Sequence, residues 1–95
     1  MSEDIQAPGE DVQLCLTSDQ ALVLFELLFR WSEEKHAPTP GPEMFDSPAE
    51  CSVLHTILGQ LESALVEPFQ LEYLELLNRA RERLLVRWSG KTLRS

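Results

Sequence analysis

The sequence has few cysteines and no apolar run long enough to cross a bilayer. Its two cysteines, Cys15 and Cys51, cannot build a disulfide framework, which favours a reducing, cytoplasmic setting. The most apolar stretch, ALVLFELLFRW at residues 21–31, is interrupted by Glu26 and Arg30, whereas a membrane span needs about 20 apolar residues. The acidic beginning MSEDIQAPGED is unlike a signal peptide, which is basic and then apolar. We therefore expect neither a signal peptide nor contact with a membrane.

Glycine-rich nucleotide-binding motifs are also missing, since neither GxGxxG nor GxxxxGK occurs. The local candidate for nucleophilic catalysis is Cys51 with His55, four residues apart, and no oxyanion-hole motif lies near them. With Cys15 and His36 they complete the two-Cys, two-His set that structural zinc accepts, but the spacing is unlike that of a zinc finger. We expect no enzymatic activity, no cofactor and no bound metal, and a small zinc-stabilised regulator stays as an alternative.

Basic residues are scarce, with 8 lysines and arginines against 16 acidic residues and a net charge of -8. Residues 1–50 contain eleven acidic and two basic residues, whereas residues 51–95 contain five acidic and six basic ones. An acidic surface repels nucleic-acid phosphates and attracts basic proteins, so nucleic-acid binding is disfavoured. The basic residues near the C-terminus are mixed with acidic ones, which is more typical of a solvated helix than of a phosphate-binding stripe. They are Arg79, Arg81, Arg83, Arg87, Lys91 and Arg94.

Helix signals predict an all-α fold, a small three-helix bundle. Thr17 and Gln20 have the spacing of a capping box, which predicts a first helix over residues 18–35. Three prolines in HAPTPGP, residues 36–42, end that helix.

The second helix has a stronger start signal. Ser47 can cap it, Pro48 suits the first helical position and Glu50 suits a capping box, so we expect a helix from there to Val66. A third helix is predicted over residues 68–88.

The segment before the first helix predicts an extended lead-in. Val12, Leu14 and Leu16 alternate with Gln13 and Cys15, a pattern that also allows a short β-strand. The predicted organisation is a flexible acidic tail at residues 1–11, one helical domain at residues 12–89 and a flexible C-terminal tail at residues 90–95.

The second and third helices each gather their apolar residues on one side when residues are placed about 100° apart. On the second helix these are Val53, Leu54, Ile57, Leu58, Leu61, Ala64 and Leu65. On the third they are Phe69, Tyr73, Leu74, Leu76, Leu77, Ala80, Leu84, Leu85 and Trp88. We expect both sets to face the core.

The apolar arc of the first helix is wider. It covers roughly 220° of the circumference, more than one neighbouring helix can bury. One interpretation is a central first helix that packs against both others. The other is that one flank of it, Leu24, Leu27 and Trp31, meets another protein.

These observations predict a non-enzymatic protein-interaction module, an acidic binder or inhibitor of a basic partner protein. In size and acidity the chain is similar to bacterial immunity proteins, antitoxins and small adaptors, which is an analogy of composition alone. An alternative is a homodimer in which the first helix or the segment at residues 12–16 pairs with its symmetry mate. The predicted partner-binding residues are Leu24, Leu27, Trp31, Glu33, Glu34, Glu43 and Asp46.

Overall fold

The computed structural model describes residues 9–95, which form three α-helices joined by two connections. Helix α1 spans Ser18–Glu33, α2 spans Pro48–Ala64 and α3 spans Tyr73–Leu85. Two short 3-10 turns occupy Pro42–Met44 and Glu67–Phe69. The predicted all-α three-helix bundle is confirmed, and residues 9–95 contain no β-strand.

The lead-in to α1 does not form the short strand that its alternating pattern allowed. Residues 10–17 have no regular secondary structure, and the side chains of Val12 and Leu14 are exposed. A strand needs a neighbour for its backbone N–H and C=O groups, and the described chain supplies none. Of the acidic tail predicted at residues 1–11, residues 1–8 lie outside the described part of the chain.

Local hydrogen bonds explain where α1 begins. The Gln20 backbone N–H donates to the Thr17 hydroxyl at 3.1 Å, and the Thr17 N–H donates to the Gln20 side-chain oxygen at 2.9 Å. This reciprocal pair is the predicted capping box, and it satisfies backbone donors that the first helical turn leaves free. Helix α1 ends at Glu33, two residues earlier than predicted, because Glu34 is already extended.

The start of α2 differs from the prediction in one bond. Ser47 accepts a hydrogen bond from the Ala49 N–H at 3.0 Å, and Pro48 takes the first helical position. The carboxylate of Glu50 accepts from the N–H of Asp46 at 3.1 Å, one residue before the one that a capping box would use. The helix start is therefore where the sequence places it, although no reciprocal box forms.

The start of the third helix was predicted wrongly. Pro68 lies in the 3-10 turn Glu67–Phe69, and Gln70 is extended, so α3 begins only at Tyr73. No side chain caps its first turn, whereas α1 and α2 each have a hydroxyl cap. The helix also ends at Leu85, before Trp88, which is half exposed at 51%.

Helix α1 is central, since it packs against α2 on one side and α3 on the other. Phe25 and Leu28 are buried against α2, and Leu22 is buried against α3. The buried partners on α2 are Leu58 and Leu61, and those on α3 are Leu77 and Ala80. The wide apolar arc of α1 is thus largely explained by its two neighbours. Within residues 9–95, every helix is too short or too polar to cross a membrane.

Polar contacts also hold α3 to α1. The Tyr73 hydroxyl donates to Glu26 at 2.9 Å, and burial together with this bond raises the pKa of Tyr73 far above its usual range. Arg83 donates to both carboxylate oxygens of Asp19, at 2.7 and 2.8 Å. Since the later residue of α3 meets the earlier residue of α1, the two helices run antiparallel.

Replacing the buried Leu77 with alanine is expected to lower the free energy of unfolding by about 2–5 kcal/mol, because the change leaves a cavity beside α1. The matched control is Leu74→Ala on the same helix, since Leu74 is 70% exposed and Leu77 is 1% exposed. The control should change stability by less than about 0.5 kcal/mol. Urea denaturation followed by circular dichroism measures both, and equal effects would contradict the described orientation of α3.

Asp19 should titrate below the usual range of an aspartate, because the hydrogen bonds from Arg83 lower its pKa. Its ion pair therefore contributes to stability above the ordinary aspartate pKa, and this contribution is lost as pH falls through the lowered pKa. Carboxyl NMR titration measures the midpoint. Arg83→Gln should return it towards the ordinary value, whereas Arg79→Gln, which removes only the neighbouring pair with Glu75, should leave it unchanged.

Candidate interaction site

A cleft lies where the end of α1, the start of α2 and the connection between them meet. We call this connection, residues 34–47, the α1–α2 connection. The cleft has a volume of about 190 Å³. Its lining residues come from all three segments, and they are Leu28, Trp31, Ser32, Thr39, Pro40, Phe45, Cys51, Leu54 and His55.

The path of the α1–α2 connection forms one wall of the cleft. The hydroxyl of Thr39 donates to the backbone oxygen of Trp31 at 3.0 Å, which satisfies a carbonyl in the last turn of α1. The turn at Pro42–Met44 then leads into Phe45, whose ring is half-buried at the cleft while Met44 remains exposed. Aromatic rings from α1 and from the connection therefore both line the cleft.

Five carboxylates, which we call the acidic rim, belong to the segments that surround the cleft. Residues 31–50 contain these five acids and one lysine, Lys35, for a local charge of -4 with histidine neutral. All five are exposed, and none makes an ion pair with a residue between 9 and 95. The rim consists of Glu33, Glu34, Glu43, Asp46 and Glu50.

Two members of the acidic rim lie at the end of α1 where the helix dipole disfavours negative charge. Glu33 is the last residue of α1 and Glu34 is its C-cap. The C-terminal end of a helix carries partial negative charge, so a cation there stabilises the helix. An acidic residue at the same place is expected to lower the stability by about 0.3–1 kcal/mol. A local arrangement that costs stability is typical of positions that serve binding.

The predicted α1 flank is less exposed than a free docking face would be. Leu24, Leu27 and Trp31 are each half-buried, and Leu24 and Trp31 pack against the α1–α2 core. Trp31 also lines the cleft, so it joins the flank to the acidic rim.

Cys51 and His55 lie one turn apart on α2, and both line the cleft. Cys15 is exposed on the lead-in and His36 is exposed in the α1–α2 connection. Within residues 9–95, no three His, Cys, Asp or Glu side chains are grouped so that they could hold a metal ion. The structure therefore does not bring the two-Cys, two-His set together.

The structure adds an exposed apolar surface that the sequence reasoning assigned to the core. Phe69, Leu74, Leu85 and Trp88 were expected to be buried, but each is more than half exposed. The apolar arc of α3 is wider than the area that α1 covers. A wide apolar arc is also the feature by which the sequence indicated a possible binding face on α1. The exposed apolar residues from the end of α2 onward are Val66, Phe69, Leu71, Leu74, Leu85, Val86, Trp88 and Leu93.

Cys51 is expected to react more slowly with a thiol reagent than Cys15, because Cys51 is half-buried in the cleft and Cys15 is exposed. The native protein should therefore show two kinetic phases with Ellman's reagent. A Cys15→Ser variant should retain only the slow phase, and unfolding in urea should remove the difference. Equal native rates would show that the cleft does not shelter Cys51.

Comparisons of the chain with models of protein families, with curated proteins and with solved structures find no match. What the protein binds is therefore inferred from its own surfaces. The two that stand out are the cleft with its acidic rim and the exposed apolar residues between Val66 and Leu93.

Proposed function

We propose that this protein is a non-enzymatic interaction module that binds a basic partner protein at the cleft, as an inhibitor or adaptor in a reducing, cytoplasmic setting. The observation that carries the proposal is the combination of an aromatic cleft with five exposed carboxylates that make no ion pair within residues 9–95. A partner that binds at the cleft would therefore meet aromatic side chains in the cleft and negative charge on the segments around it.

The size of the cleft favours a side chain of a protein over a free small molecule. Sites for drug-sized ligands usually have about 300–1,000 Å³, and this cleft has about 190 Å³. A lysine or arginine suits it chemically, because its aliphatic stem can lie against Leu54 and its charged head can interact with the ring of Trp31. The carboxylates of the surrounding segments then attract the cation.

The acidic rim also supports fast and selective association. A cluster of one charge sign raises the local concentration of an oppositely charged partner and rejects partners of like charge. Because the carboxylates are exposed, the attraction is screened by salt. Binding at the rim should therefore weaken as ionic strength increases.

The α1 flank extends the surface beside the cleft. Leu24 and Leu27 keep part of their side chains exposed next to Trp31 on the same side of the helix. A partner that covers the cleft would bury the remaining apolar area of this flank. Aromatic residues at the centre of such interfaces commonly provide the largest share of the binding energy.

The decisive variant is Glu33→Lys/Glu34→Lys, which reverses two rim charges without touching the core. Lysine at the negative end of the α1 dipole should keep or slightly raise the free energy of unfolding, so lost binding would not reflect unfolding. The matched control, Glu62→Lys/Glu82→Lys, makes the same change in net charge at two exposed positions on α2 and α3. Three tagged baits, wild type, rim variant and control, would be compared by quantitative mass spectrometry of proteins captured from native cells.

We expect wild type and control to capture the same basic protein in near-stoichiometric amount and the rim variant to lose it by at least about tenfold, which corresponds to 1.4 kcal/mol. Titration of the purified partner should then show weaker binding to a Trp31→Ala variant and at higher salt. Equal capture by all three baits, or capture of acidic proteins alone, would refute the proposal.

A further inference from the structure

The end of the chain has the surface chemistry that the cleft of another copy would bind. We call residues 85–94 the basic end. They contain three basic residues, Arg87, Lys91 and Arg94, and no acidic residue. The exposed apolar residues of the same segment are Leu85, Val86, Trp88 and Leu93.

The charges of the basic end have no carboxylate partner within residues 9–95. Two arginines of α3, by contrast, do make ion pairs: Arg79 pairs with Glu75 and Arg83 pairs with Asp19. Within residues 9–95, unpaired carboxylates thus belong to the segments around a cleft lined in part by Trp31, Phe45 and Leu54, and the basic end carries unpaired cations beside exposed apolar side chains. Surfaces of this kind are complementary in both charge and hydrophobicity.

The two surfaces lie at opposite ends of α1. The cleft adjoins the last turn of α1, where Trp31 lies. Arg83 contacts Asp19 in the first turn of α1, and the basic end follows Arg83 in the chain. Since α1 has 16 residues, its two ends are about 24 Å apart. In this structure the basic end therefore follows the end of α3 that lies away from the cleft of its own chain.

We infer that the protein self-associates, with the basic end of each copy docked on the cleft and acidic rim of the other. The inference rests on one part of the proposed function, that the cleft and acidic rim bind cationic side chains; here the basic end of an otherwise acidic second copy supplies them. Two copies placed side by side in opposite directions make both contacts at once around a two-fold axis. A stable dimer buries roughly 800 Å² per partner. This is about a tenth of the 7986 Å² accessible surface of one copy. Two reciprocal contacts reach this area more readily than one contact does.

Charge argues against direct pairing of two basic ends, which would place like charges together. Anionic lipid and nucleic acid carry a charge opposite to that of the basic end, as does the acidic rim of a second copy. The second copy combines this charge with a cleft lined by Trp31 and Phe45, which can cover exposed apolar side chains of the basic end.

The test is a charge swap on the full chain, measured by sedimentation equilibrium at low salt. The cleft variant is Glu33→Lys/Glu34→Lys, the end variant is Arg87→Glu/Lys91→Glu, and the control is Glu62→Lys/Glu82→Lys. Wild type and control should form a dimer of the 10.8 kDa chain. Each variant alone should dimerise at least about tenfold more weakly. An equimolar mixture of the two variants should recover the dimer, because one contact joins an unchanged rim to an unchanged basic end and the other places the new lysines against the new glutamates.

Several outcomes would overturn the inference. They are a wild type that is monomeric throughout, a dimer that persists in either variant, and a mixture that fails to recover. A monomer that binds anionic vesicles or DNA through Arg87 and Lys91 would assign the basic end to a different ligand. The proposed function fails separately, because it depends on whether the rim variant still captures a basic protein from cells, whatever the oligomeric state.

Discussion

The packing of α1 between two helices is the constraint on which the rest of the structure depends. Phe25 and Leu28 hold α2, and Leu22 holds Leu77 and Ala80 of α3. Helices α2 and α3 have little contact with each other, so each owes its position to α1. Because the chain is short and few of its side chains are buried, a cavity at any one of them is expected to lower the free energy of unfolding substantially.

This arrangement determines which surfaces remain available. Because α2 and α3 lie on separate sides of α1, neither covers the outer flank of the other. The α1–α2 connection closes over the end of α1, where Thr39 binds the Trp31 carbonyl, and the cleft forms between them. Helix α3 buries only the half of its apolar arc that faces α1, so Leu74 and Leu85 remain exposed.

Charge separation follows the same geometry. The carboxylates of residues 31–50 belong to the segments around one end of α1, and the cations of residues 85–94 follow the contact of α3 with the other end. Asp19 and Arg83 neutralise each other where α1 and α3 meet, so this pair holds the fold together and leaves no charge for a partner. Within residues 9–95, the acidic rim and the basic end are among the charged groups that make no ion pair, and the proposed binding uses these two sets.

The sequence by itself determined the features that depend on a few neighbouring residues. The starts of α1 and α2 were predicted from Thr17 with Gln20 and from Ser47 with Pro48, since capping involves hydrogen bonds over two or three residues. The sequence also predicted the number of helices and showed that the acidic residues are concentrated in residues 1–50. The start of α3 was not, because Pro68 fits a 3-10 turn as well as a helix.

Only the tertiary structure decided which part of each apolar arc is covered, and which distant residues meet. Leu77 and Leu74 look alike in the sequence, yet one is buried and the other exposed. Arg83 meets Asp19 across 64 positions, and Trp31, Phe45 and Cys51 come together from three segments. The physical reason is that burial and pairing depend on how the helices are arranged in space, and a helical pattern specifies a face but not its neighbour.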